Sequence, residues 1–251
     1  MELSAPGTPG EVRAIRWKDT CRLIPSRFPA HGILDEVASP GDLQHIFELE
    51  SWSNDRISVE LGLLHKLPRD EWVTGPQASV IMAAFCHPRT GGGRFNGAER
   101  GAWYAARSLE TAHAEVIYHR ARELAEIGVF DTRMEMRLYL ADFRAPFHDL
   151  RAEQQDSESY EASRKLAREL LARGSNGILY RSVRQYLDHP GGECIACFRP
   201  KLVSRVRASV HFEYRWDRSA SSRSTPVIRQ LEPTGSAEPS GSTRRTMKVL
   251  R

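Results

Sequence analysis

Two stretches of alternating character limit what this chain can fold into. Met134, Met136, Leu138 and Leu140 alternate with Glu135, Arg137 and Tyr139, and Val210, Phe212, Tyr214 and Trp216 alternate with His211, Glu213 and Arg215. A period of two places every second side chain on one face, so both stretches read as strands of a half-buried sheet. Elsewhere the period changes. Ser108 is placed to cap a helix of about Leu109–Ile127, which Gly128 stops, and Leu109, Ala112, Val116 and Leu124 fall near one face. Ser157–Arg173 reads as a second helix, with Leu166, Leu170 and Leu171 inward and Gly174 past its end. Trp103–Ala106, Ile178–Tyr180 and Cys194–Phe198 read as short strands, and Leu43–Leu49 has helical spacing behind Asp42. Strands and helices mix without a regular βαβ rhythm. The expected class is α/β, in the α+β sense of a mixed β-sheet core flanked by helices.

Charge divides the chain. Residues 217–251 carry seven basic and three acidic side chains, which is the whole formal excess of +4. The remaining body is neutral, so it offers no basic groove of the kind that releases counterions from nucleic acid. The tail is rich in Ser, Thr, Pro, Gly and Arg and poor in apolar residues, and is expected to be disordered. Residues 1–15, with Pro6, Gly7, Pro9 and Gly10 close together, read as a flexible leader. One domain is therefore expected over 16–216. The longest apolar run, Val80–Cys86, is seven residues, against the roughly 20 needed to span a membrane. The first twenty residues hold no secretory apolar core, and four cysteines make no disulfide scaffold in a chain this long. A cytoplasmic protein with reduced thiols and no membrane partner is expected.

Most motifs for chemistry are absent. Cys194 and Cys197 have the CxxC spacing, but no second ligand pair matches it. Three residues apart on a strand they would point to opposite faces, so they read as structural thiols. His113 and His119, six apart on the expected helix, are badly spaced for one metal, and no metal is expected. Gly91-Gly92-Gly93 is a flexible turn without the pattern of a dinucleotide fingerprint or a P-loop. One constellation remains. Gly93-Arg94-Phe95-Asn96-Gly97 leads into Trp103-Tyr104-Ala105-Ala106 and then to Glu115 on a helix. This unit joins a glycine-hinged arginine, a strand tyrosine and a carboxylate at the margin of an apolar stripe, partly shielded from water. Taken alone, the same residues also fit an ordinary ion-paired arginine, a packed tyrosine and a solvated glutamate.

The stretch GGGRFNGAERGAWYAARSLETAHAEVIYH resembles the core of the RES-domain family, the toxins of Res–Xre toxin–antitoxin systems. The matching positions are Arg94, Tyr104 and Glu115, followed by Ser182 in Gly177-Ile-Leu-Tyr-Arg-Ser182. Cys21-Arg22-Leu23-Ile24-Pro25 resembles the arginine-containing strand that opens these domains, and the likeness runs over roughly 17–213. The departures are Phe95, where many members have Trp, and a long segment before Arg94.

The resemblance implies an ADP-ribosyltransferase-like fold and cleavage of the nicotinamide–ribose bond of NAD⁺, which is consumed as substrate, with no cofactor and no metal. It implies Glu115 for the developing ribose cation, Arg94 for the diphosphate or adjacent ribose oxygens, and Tyr104 for stacking on nicotinamide. It also implies Ser182 near the nicotinamide ribose and Arg22 as a second phosphate or ribose contact. Such residue types suit an oxocarbenium-like transition state and a bidentate phosphate contact. An Xre-type antitoxin is the implied partner, with DNA touched only through it. Two alternatives stay open: transfer of ADP-ribose to a protein, and a non-catalytic binding module whose basic tail contacts nucleic acid.

Overall fold

The computed structural model describes residues 10–26, 35, 67–153, 156, 159–184, 192–217 and 226–232. In chain order they form β1 (Val12–Pro25), α1 (Ala78–Cys86), β2 (Trp103–Ala106), α2 (Leu109–Glu126), β3 (Thr132–Asp149) and α3 (Glu161–Ala172). Then follow β4 (Gly177–Arg181), β5 (Glu193–Cys197), β6 (Ser204–Trp216) and β7 (Val227–Leu231). The class is α/β with a mixed sheet, as expected. No helix among the described residues is long and apolar enough to cross a membrane.

The strand order is β1-β2-β5-β4-β3-β6-β7, and β1 also pairs along β3, from Val12 opposite His148 to Pro25 opposite Met136. Only β3 and β4 run parallel; the other pairs are antiparallel. The pairings thus run from β1 through β2, β5, β4 and β3 back to β1. That ring closes weakly, because β1 meets β2 at the one pair Cys21 and Ala106 among the described residues. Past this point the two strands are no longer paired, and a gap opens between them.

The sheet is covered on both faces. Trp103, Ala105, Leu179, Ile195 and Cys197 pack on α1 with Met82 and Phe85. Ala106, Ile178, Tyr180, Cys194 and Ala196 pack on α2 and α3, with Ala112 and Leu170. Successive residues of β2, β4 and β5 alternate between the two cores, as the pleat requires. Cys194 and Cys197 accordingly lie on opposite faces, both buried and free. Ser108 caps α2 by accepting from the Thr111 N–H, and Gly128 follows the helix at φ +67°, a conformation costly for a side chain.

Several expectations need correction. Residues 1–15 are expected to form a flexible leader, yet β1 begins at Val12, because its backbone pairs with the far end of β3. Composition predicts a disordered tail from 217, yet Val227–Leu231 is a strand paired with β6. Its few apolar side chains are offset by a ladder that depends on neither composition nor charge. The second helix starts at Glu161, later than Ser157. The Val80–Cys86 run is most of α1, a helix buried among apolar neighbours. Tyr139, expected on the polar face of its strand, is buried because that face too belongs to an apolar core, which includes Trp17, Phe143 and Val203. The Leu43–Leu49 helix lies outside the described residues.

One buried ion cluster pins the frame behind the gap. The Glu71 carboxylate receives Arg100 and, at 2.6 Å, Arg199, while Arg100 also donates to the Phe198 carbonyl at 2.6 Å. Removing one member of such a cluster leaves buried charge without compensation. Glu71→Ala is expected to cost about 3–5 kcal/mol in a urea unfolding experiment.

Candidate active site

The gap between β1 and β2 is the mouth of a cleft of about 550 Å³. Its walls come from elements far apart in sequence: β1 beyond Cys21, the turn after α1, the glycine loop, β2, one face of α2, and Tyr160 ahead of α3. Arg22, Arg94, Tyr104 and Glu115, four of the five side chains singled out by sequence, line it together. Ser182 does not line it and reaches it through Glu115.

Glu115 sits on the inner side of α2 with about 26% of its side chain accessible. Ser182 Oγ, at the end of β4, donates to its Oε1 at 2.5 Å. Ser182 is itself held by accepting the Arg184 N–H at 3.0 Å and by a backbone bond to Gly192 at 2.9 Å. Burial pushes the Glu115 carboxyl above its ordinary range, opposed by the Ser182 hydrogen bond and by Arg184 and Arg94.

The arginine and the tyrosine are positioned by each other's neighbours. The Tyr104 hydroxyl donates to Asn96 Oδ1 at 2.7 Å and accepts the Phe95 N–H at 2.9 Å. That hydroxyl is fully used in holding the loop, and burial raises its pKa. What Tyr104 offers the cleft is its ring. Gly93 lets the loop come this close, since a Cβ there would lie 2.7 Å from the Tyr104 oxygen. Arg164 of α3 clamps the same loop, donating to the Gly93 carbonyl at 2.8 Å and the Gly91 carbonyl at 2.5 Å. Arg94 donates to the Asp156 carbonyl at 2.5 Å, and its guanidinium lies 4.4 Å from the Tyr160 ring centroid. Phe95 is buried edge-on against Tyr180, with the ring centroids 4.9 Å apart.

Arg22 donates to the Tyr104 carbonyl at 3.0 Å and lies 4.7 Å from the Trp103 ring centroid. Its Nε is buried without a partner, and burial lowers its pKa to about 10. Neither Arg22 nor Arg94 makes an ion pair among the described residues, whereas Arg89 and Arg120 both pair with Glu123.

Sequence reasoning missed several residues. Tyr160 lines the cleft, and Arg184 Nη2 donates to its hydroxyl at 3.2 Å. The Arg184 guanidinium lies 3.2 Å from the Tyr118 ring centroid. No local pattern marks these two, because they approach the site only through the tertiary fold. His119, which by sequence reads as a solvated or core histidine badly spaced for a metal, also lines the cleft; its spacing of four from Glu115 is the available signal.

Together the fold and site define a mixed α/β domain with a cationic, aromatic-walled cleft around one shielded carboxylate. The chain belongs to the RES domain family, whose model matches residues 64–217. It is 27% identical over 200 residues to the uncharacterized protein y4oC of Sinorhizobium fredii (strain NBRC 101917 / NGR234), covering 78% of this chain and 82% of that one. A solved structure, the M. tuberculosis MbcT–MbcA toxin–antitoxin complex, aligns with a TM-score of 0.42 at 13% identity, over 79% of this chain and 85% of that one.

Proposed function

We propose that the cleft binds NAD⁺ and hydrolyses its nicotinamide–ribose bond, so that the protein acts as an NAD⁺-depleting toxin. The observation that carries this reading is the shared cleft of Glu115 with Arg22 and Arg94, two guanidiniums that make no ion pair among the described residues. As the bond to nicotinamide breaks, its electron pair neutralises the pyridinium ring and positive charge moves onto the ribose. A carboxylate fixed in advance by Ser182 stabilises that charge without having to reorganise. Arg94 and Arg22 suit the diphosphate, where a planar fork gives bidentate hydrogen bonds. The rings of Tyr104 and Tyr160 suit the flat nicotinamide, and hold the reacting bond in place. Water then adds to the ribose carbon and loses a proton.

The test is direct. Purified protein incubated with NAD⁺ should release nicotinamide and free ADP-ribose in equal amounts. Unchanged NAD⁺ would refute the reading, and label ending on a macromolecule would make the protein a transferase instead. We further propose an Xre-type antitoxin that covers the cleft and carries the DNA contact, and a cytoplasmic setting, where NAD⁺ is plentiful. Titration with that partner should stop nicotinamide release at one partner per active site.

A further inference from the structure

The inner face of α2 carries Glu115, His119 and Glu123 in successive turns, and all three line the cleft. Glu115 has a role in the scheme above and Glu123 is paired with arginines. His119 has none. Its Nε2 lies 3.7 Å from Glu115 Oε2, and its side chain is about 31% exposed. The Tyr118 ring stands edge-on beside it at 5.4 Å. The charged groups around it come from several elements: Arg120 and Glu115 on its own helix, with Glu123 one turn on, Arg89 after α1, Arg94 on the glycine loop and Arg184 after β4.

This placement answers a difficulty in the hydrolysis step. A carboxylate that accepts the proton of the attacking water loses the charge with which it holds the ribose cation. Two duties at the same moment need two groups. We propose that His119 orients the attacking water and takes its proton, leaving Glu115 ionised throughout. The inference rests on the hydrolytic reading above. The water oxygen forms the new bond to the ribose carbon that nicotinamide has left. One O–H bond breaks with its electrons staying on oxygen, and the proton passes to Nε2 and then to solvent. Burial and the surrounding arginines hold the imidazole pKa down to about 3, so the ring is unprotonated at neutral pH and only weakly basic, which suffices because water bonded to the ribose cation is strongly acidic. A bound diphosphate beside Arg94 offsets part of that positive field and makes the ring a better base when substrate is present.

His119→Gln and His119→Ala test this in the full chain. Loss of a general base is expected to lower kcat for nicotinamide release about 10²-fold. The KM for NAD⁺ and the unfolding midpoint should stay near wild type. Added imidazole should restore much of the rate of His119→Ala, and only at pH values where it is unprotonated. A structural role would not produce that rescue. If wild-type protein cleaves NAD⁺ and His119→Gln matches it, His119 is not the base and the hydrolytic reading stands. A slow His119→Ala that imidazole does not rescue also overturns the proposal. If wild-type protein leaves NAD⁺ intact, both readings fall.

Discussion

Glu115→Gln should reduce nicotinamide release by at least about 10³-fold, the scale of losing a preorganised charge at a developing ion. Gln keeps the size of Glu and can still accept the Ser182 hydroxyl, so the change removes charge and little else. Stability separates this from unfolding. The folded-state pKa of Glu115 is raised, so its linked contribution to stability is present below the ordinary carboxylate value. That contribution is lost as pH rises through the raised value. At neutral pH the ionised carboxylate is a burden on the fold, and Glu115→Gln should melt at the same temperature or higher. The acid limb of the wild-type pH–rate profile should likewise lie above the usual carboxylate range, because the protonated form cannot hold the cation. An active Glu115→Gln protein would remove the basis of the proposed function.

Arg94→Ala should weaken NAD⁺ binding about 10²-fold, since two charge-assisted hydrogen bonds to a diphosphate are lost. Arg94→Lys should recover only part of that, because an ammonium restores the charge without the planar fork. Isothermal titration with ADP-ribose, which keeps the diphosphate but has no bond to cleave, reads the effect apart from chemistry. Equal affinity for wild type and Arg94→Ala would place the diphosphate elsewhere in the cleft. The Tyr160 ring under Arg94 makes part of the loss a packing effect, so the Lys variant is the cleaner comparison.

The pattern of residues conveyed some elements well and others badly. α2 was legible at both ends because Ser108 and Gly128 act locally, within a turn of the residues they cap. β2, β4 and β5 were legible as short apolar runs. β7 was not, because its stability comes from backbone pairing with β6 and leaves little mark on side-chain character. The burial of Tyr139 was hidden for a related reason: nothing near it in the chain announces that a second apolar core covers its face. That Arg94, Tyr104 and Glu115 belong together was legible because they fall within one short stretch that resembles a family, and the three line one cleft. Ser182 was found by the same likeness, but its hydrogen bond to the Glu115 carboxylate was not.

The sequence by itself determined the class of fold, the shielded position of Glu115 on its helix and the opposed faces of Cys194 and Cys197. Each depends on a period of 3.6 or 2.0 that any stretch of backbone imposes on its own side chains. Only the tertiary structure decided where the cleft lies, which arginines line it, and that Ser182, Tyr160, Arg184 and His119 gather around it. Those facts follow from β1 parting from β2 after one residue pair and from α3 clamping the glycine loop. Contacts between segments separated by tens of residues are set by how whole elements pack, and periodicity within a segment carries no record of them.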